Sequence, residues 1–144
     1  MIVFEKQHQP IDMPDTNFAM TFQKDFSYMG SGGESAYPYV IKEHGKVLGY
    51  LFGDFNDDET YFYIEYIEVV NSLKEQGYGT RIVHAMFDAL HVNTLGGNVM
   101  NDDSGRAYYF WSSLGAFMDV NVEEYEQGET DDISFELRRT DIAA

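Results

Sequence analysis

The sequence predicts an α/β fold: a mixed, mostly antiparallel central sheet flanked by helices. Three observations predict it. Residues 37–70 read as apolar and aromatic runs broken by turn signals, the grammar of consecutive strands. At Gly77-Tyr78-Gly79 the pattern switches to helical spacing, with Ile82, Val83, Met86, Phe87 and Leu90 recurring on one side. Two further strand-like runs, FMDVNV and ISFELRR, follow a second helix-like segment rich in aromatics.

Taken in order, MIVFEK (1–6) reads as a short strand. Asp15, Thr16 and Asn17 offer N-caps for a short helix through about Lys24. GSGGES (30–35) reads as a flexible loop, either a connector or a mobile segment beside a substrate. No GKS/T follows it, which excludes a Walker-type phosphate loop. YPYVIKEHGKVLGYLFGDFNDDETYFYIEYIEVV then divides into three strands, with EHGK as a tight hairpin turn and FNDDET as a longer one.

In the third of these strands, about 60–70, Tyr61, Tyr63, Glu65, Ile67 and Val69 alternate with Phe62, Ile64, Tyr66, Glu68 and Val70. Both sets are mostly apolar, so the strand is expected to be central and covered on both faces. Glu65 and Glu68 then fall one on each face, a costly place for an unpaired charge. Beyond the glycine turn, His84 and Asp88 form an i, i+4 pair on the polar side of the helix. LGG (95–97) is expected to end that unit, and NVM to be a short strand. DSGRAYYFWSSL (103–114) is expected to be a helix capped at Asp103 or Ser104, with Gly115 at its C-terminal end. An acidic loop, EEYEQGETDD, separates the two closing strands.

Composition bounds the function. A 144-residue chain with 44% hydrophobic and 16% aromatic residues suits one packed domain, expected over residues 1–144. No apolar run approaches the roughly 20 residues that span a bilayer, and MIVFEKQHQP lacks the features of a signal peptide. A cytoplasmic protein without a membrane partner is expected. Zero cysteines exclude a disulfide framework, a thiolate nucleophile and a zinc knuckle, and the four scattered histidines have no metal-ligand spacing. Nine basic against 25 acidic residues give a net charge of −16, which repels nucleic acid and attracts cations, amines or basic protein patches. Solubility, a salty habitat, a cationic substrate or mimicry of DNA would each account for it.

The glycine turn, LKEQGYGTRIV, concentrates the chemistry. A turn that opens a helix presents free backbone N–H groups and the positive end of the helix dipole. Glycines allow φ > 0 and a close approach of ligand to backbone, so the turn suits a phosphate or pyrophosphate. An ordinary strand-to-helix turn looks the same in isolation.

Its surroundings narrow the choice. Val69-Val70-Asn71-Ser72-Leu73-Lys74-Glu75-Gln76-Gly77-Tyr78-Gly79-Thr80 resembles the acetyl-CoA-binding motif of the GNAT superfamily of N-acetyltransferases. In that motif a central strand ending in V-x-P runs into Q/R-x-x-G-x-G/A and a helix. QGYGTRIV resembles the histone-acetyltransferase branch. Ala107, Phe110, Trp111, Leu114 and Gly115 are similar to the family's A-x-x-F-Y-x-x-x-G helix, and the resemblance covers about residues 37–120. The departures are Lys74 for Gln or Arg, Asn71 for proline, Trp111 for tyrosine, and Glu75, an anion beside the proposed phosphate site. Lys74, Arg81 and Arg106 are the bases near enough to offset it.

The resemblance implies a GNAT-like fold, acetyl-CoA as co-substrate, and direct acetyl transfer to an amine. It places the pantetheine arm along Ile67, Glu68 and Val69, with the Val69 N–H as oxyanion donor. The pyrophosphate would meet the backbone of Glu75, Gln76, Gly77, Tyr78, Gly79 and Thr80, with Lys74 as a point charge. Ser104 and Trp111 are further cofactor candidates. Glu65 is the first choice of general base, sharing a face with Ile67 and Val69, and Glu68 is the alternative. The family's tyrosine acid is absent, and Tyr108 or Tyr109 would serve only if the helix turned differently. The expected activity is N-acetylation of a primary amine of a cationic small molecule, or of a protein lysine or N-terminus. A homodimer stays open. The competing reading is a non-catalytic acidic decoy for a basic partner, motivated by the charge, Glu75 and the missing tyrosine.

Overall fold

A computed structural model describes residues 1–8, 11–17, 38–99, 105–126 and 132–143. Seven strands form one sheet: β1 (Ile2–Lys6), β2 (Tyr39–Glu43), β3 (Lys46–Phe55), β4 (Tyr61–Val69), β5 (Thr94–Val99), β6 (Phe117–Met118) and β7 (Ile133–Arg138). Their order is β1-β2-β3-β4-β5-β7-β6. Every neighbouring pair is antiparallel except β4 and β5, which run parallel because helix α1 (Tyr78–Ala89) carries the chain back between them. Helix α2 (Arg106–Ser113) follows β5.

Local chemistry accounts for the turns. The two residues between β2 and β3, His44 and Gly45, have φ of 52° and 79°, the double left-handed conformation whose twist matches a two-residue hairpin. In the longer turn, the Asn56 side-chain oxygen accepts the N–H groups of Thr60 (3.0 Å) and Tyr61 (3.1 Å), closing the loop onto the start of β4. Helix α1 buries the expected stripe of Ile82, Val83, Met86 and Phe87, packed with Phe62, Leu95 and Leu137 into one core. His84 is half-buried, and Asp88 accepts a hydrogen bond from Arg139 at 2.6 Å.

Several expectations need correction. In β4 the partners step from Phe52↔Tyr66 to Gly53↔Ile64, leaving Glu65 as an extra, unpaired residue. This is a β-bulge. Opposed residues share a face and Phe52 and Gly53 alternate, so the bulge shifts the parity. Tyr66 and Glu68 continue the face of Tyr61 and Tyr63, whereas Ile67 and Val69 continue that of Ile64. Glu65 therefore does not sit in a simple row with Ile67 and Val69, and it is exposed rather than buried. Gly53 makes the bulge feasible: a Cβ there would lie 2.2 Å from the Tyr63 carbonyl oxygen.

LGG does not end the helical unit but lies inside β5. A Cβ on Gly96 would sit 1.7 Å from the Tyr61 hydroxyl, and one on Gly97 would sit 2.9 Å from the Ile64 carbonyl oxygen, so close packing selects both glycines. FMDVNV shortens to Phe117–Met118; the Asp119 N–H still donates to the Ser134 carbonyl (2.9 Å), and the Val120 carbonyl accepts the Tyr108 hydroxyl (2.6 Å). Gly105, with φ of 64°, occupies the N-cap of α2, while Asp103 and Ser104 lie outside the described residues. The same holds for GSGGES and for most of the helix expected after Asn17. Asp15 is tied to the turn after β4: its carbonyl and carboxylate accept the N–H groups of Asn71 (2.7 Å) and Ser72 (3.0 Å). Among the described residues, no helix is long and apolar enough to cross a membrane.

Candidate active site

The sheet opens at its centre. β4 and β5 pair from Tyr61↔Thr94 to Ile64↔Gly97, and the pairing ends there although both strands continue. The gap forms a cleft of about 670 Å³. Its walls are the second half of β4 (Ile64–Val69), the turn and first residues of α1, Asn98 and Val99 of β5, and one side of α2. Trp111 and Phe135 stack 4.2 Å apart at its apolar base.

The glycine turn supplies the polar end. Glu75 and Gly77 both have positive φ, 65° and 85°, so the backbone coils before α1 begins. Gly77 is the N-cap and no side chain caps the helix, which leaves the first-turn N–H groups for a ligand. A Cβ on Gly79 would lie 3.2 Å from the Phe110 ring, so this glycine lets α1 and α2 approach each other across the cleft.

The cations around the turn already have partners. Lys74 Nζ lies 2.6 Å from a Glu68 carboxylate oxygen. The same carboxylate accepts the Tyr66 hydroxyl (2.6 Å) and the Asn17 N–H (2.7 Å), and the Glu68 side chain is only 10% exposed. Burial, then the bond to Glu68, drives the Tyr66 phenol well above its usual range. Arg81 donates to Glu43, and that hydrogen bond holds the Glu43 carboxyl below its usual value. Arg106 and Glu75, both largely exposed, meet at 3.3 Å across the mouth of the cleft.

Residues 4–115 match the profile of the acetyltransferase (GNAT) family. The chain belongs to the GNAT acetyltransferase family. Its activity is of the acetyl-CoA-dependent acetyl-transfer type, with acetyl-CoA as co-substrate. The solved structures it resembles agree on the fold. A GNAT-family protein from Desulfovibrio desulfuricans superposes with a TM-score of 0.64 at 13% identity, covering 96% of this chain and 99% of that one. A Bacillus subtilis acetyltransferase solved with CoA gives 0.60 at 14% identity, with 95% and 97% covered. The ribosomal-protein-S18-alanine N-acetyltransferase of Escherichia coli gives 0.52 at 22%, with 74% and 70% covered. Among curated proteins no match was found.

The GNAT cleft gathers most of the residues singled out in the sequence. Glu65, Ile67, Glu68, Val69, Lys74, Glu75, Gly77, Tyr78, Gly79, Thr80 and Trp111 all line it. Gln76 instead turns its amide back onto the Ser72 carbonyl at 3.1 Å. Ser104 lies outside the described residues. The two tyrosines considered as proton donors do not border the cleft: Tyr108 is 1% exposed and bonded to Val120, and Tyr109 points to solvent. They follow the helical rotation, which turns Ala107, Phe110 and Trp111 inward and Tyr108 and Tyr109 away. Sequence reasoning passed over Asn98, Val99 and Phe135, which also line the cleft. The one available signal was Asn98, a polar residue directly after the Leu95-Gly96-Gly97 run.

The site fits the co-substrate it is expected to hold. An open glycine cap, unsatisfied helix N–H groups and a long apolar-walled cleft match an anion joined to an extended arm.

Proposed function

We propose that the chain moves the acetyl group of acetyl-CoA to a primary amine of a cationic acceptor, either a small molecule or a protein lysine or N-terminus. The observation that carries this reading is the cleft itself, which runs from the uncapped start of α1 to the parting of β4 and β5. The continuous seven-stranded sheet supports treating residues 1–144 as one acetyltransferase domain.

Bound in the cleft, acetyl-CoA supplies an acetyl group activated as a thioester. The backbone of residues 75–80 and the Thr80 hydroxyl hold the pyrophosphate, and the edge of Ile67–Val69 aligns the arm. The Val69 N–H donates to the carbonyl oxygen as negative charge develops there. An ammonium has no lone pair, so Glu65 takes one proton from the acceptor, directly or through water. The bulge supports that role, because it lifts Glu65 out of the ladder and into the cleft wall. The nitrogen–carbon bond forms as the carbon–sulfur bond breaks. A second nitrogen proton is lost to solvent as the amide forms, the third stays on the amide nitrogen, and the thiolate ends as a thiol. With Tyr108 and Tyr109 turned away, solvent delivers the thiolate's proton.

The test is thiol release from acetyl-CoA with 1,5-diaminopentane, an Nα-blocked lysine and a short peptide with a free N-terminus. Turnover of at least one acceptor is expected, with Glu65→Gln lowering kcat/KM by roughly a hundredfold. Turnover unchanged by Glu65→Gln would remove the base assignment, and no turnover of any acceptor would count against the enzyme reading.

A second reading keeps one specific support. Lys74, Arg81 and Arg106 are each matched with a carboxylate. A turn so neutralised also suits an acidic GNAT-like decoy for a basic protein. That reading requires salt-sensitive binding to a basic partner that survives Gly79→Trp, a change that blocks the cleft.

A further inference from the structure

The cofactor cleft has a counterpart on the opposite face of the sheet. In β7, Ile133, Phe135 and Leu137 are buried while Ser134 and Glu136 are exposed. Phe135 stacks on Trp111, so Ser134 and Glu136 face away from the helices. Cross-strand partners extend this second face, with Tyr63 beside Gly96, Gly96 beside Glu136, and Glu136 beside Phe117. Tyr63, Glu136 and Phe117 border a pocket of about 270 Å³ that also takes in Tyr61, Gly97, Asn98 and Asp119. Asn98 and Phe135 line both this pocket and the cofactor cleft. The two spaces therefore share a wall where β4 and β5 part.

Hydrogen bonds order that junction. Asn98 donates to the Tyr63 hydroxyl oxygen at 2.7 Å, and its own side-chain oxygen accepts the Ser134 hydroxyl at 2.9 Å. The amide is thereby fixed. The Tyr63 oxygen keeps a lone pair for an incoming N–H group. Tyr61 is held across Gly96, where a Cβ would meet its hydroxyl at 1.7 Å. Burial, and after it the charge of Glu136, push the Tyr61 phenol upward, which keeps that wall neutral.

Resting on the acetyltransferase reading above, we propose that this pocket receives the acceptor, and that the acceptor is an alkyl diamine or a longer polyamine. The reacting nitrogen must be neutral when it attacks, so it cannot satisfy the carboxylates of Asp119 and Glu136. A second ammonium on the same molecule can. Tyr61, Tyr63 and Phe117 offer aromatic walls to the chain between the two nitrogens and to the retained charge. The free lone pair of Tyr63 accepts an N–H of the acceptor beside Asn98, which borders both spaces. Donor and acceptor then approach from opposite faces of one sheet.

The experiment is calorimetric. CoA is titrated into the protein first, and 1,5-diaminopentane or pentylamine is then titrated into the CoA-saturated protein. The diamine is expected to bind at least about tenfold more tightly than the monoamine, the scale of one charge-assisted contact. Glu136→Gln, at an exposed position, should erase most of that preference. Tyr63→Phe should weaken both amines while CoA affinity stays within about twofold. Absence of CoA binding overturns both the cofactor reading and this one. Normal CoA binding with no diamine preference, or a preference that survives Glu136→Gln, overturns only the acceptor pocket. Amine affinities untouched by Tyr63→Phe remove Tyr63 from it.

Discussion

Replacing Lys74 by methionine separates two roles the residue could play. The motif places Lys74 where a basic group would meet the pyrophosphate, whereas its ammonium lies 2.6 Å from Glu68 and is, among the described residues, one of three donors to that carboxylate. Methionine keeps the aliphatic stem and removes the charge. A charge-assisted hydrogen bond to a carboxylate is worth about 1.5–3 kcal/mol. The Glu68 side chain is 10% exposed, which favours the upper end, but Lys74 is 32% exposed, which lets solvent return part of the loss. The expected destabilisation is about 2 kcal/mol, or a fall in Tm of roughly 4–8 °C for a chain of this size. Urea unfolding followed by circular dichroism reads the stability, and calorimetry reads CoA affinity. The geometry predicts lost stability with CoA affinity changed less than about threefold. A variant of native stability that binds CoA tenfold more weakly would refute it, because Lys74 would then serve the phosphate and not Glu68.

The remaining predictions concern charge. Glu75→Gln removes an anion from the turn and with it the 3.3 Å contact to Arg106, so CoA should bind about three- to tenfold more tightly at low salt, from roughly 1 kcal/mol per close pair of charges in water. The gain should shrink at high ionic strength, and a weaker complex would show that Glu75 orders the turn. Alkaline stability follows from Tyr66. Its folded-state ionisation lies above the ordinary 10.0, so the folded protein holds the proton more tightly than the unfolded chain. Stability is complete below pH 10 and falls as pH rises beyond it. Tyr66→Phe should flatten that fall, measured by urea midpoints between pH 8 and pH 11, and an unchanged slope would contradict the placement of Tyr66.

How much was legible in the sequence depended on how local each feature is. The His44-Gly45 hairpin, the apolar stripe of α1 and the glycine turn are decided within a few residues, and each appears as expected. The bulge at Glu65 is a property of two strands. Nothing in the alternation of β4 marks it, and its one trace is Gly53 on the neighbouring strand. Gly96 and Gly97 misled for the same reason: read alone they resemble a stop, whereas Tyr61 and Ile64 require them inside β5. The cleft was readable along β4 and the turn because the motif runs through contiguous residues. Asn98 and Phe135 come from strands distant in sequence and join it only when the sheet forms. Glu68 looked like a buried liability, and its three donors among the described residues explain how the strand tolerates it.

The account rests on the turn at Gly77–Gly79 holding acetyl-CoA, and titration calorimetry of acetyl-CoA into the purified protein and its Gly79→Trp variant tests that directly. The indole would have to occupy the space where a Cβ is already 3.2 Å from Phe110. Saturable binding at one site per chain, abolished in a Gly79→Trp variant that still melts cooperatively, is the predicted result. No heat at high micromolar ligand, or equal binding by both proteins, would contradict it.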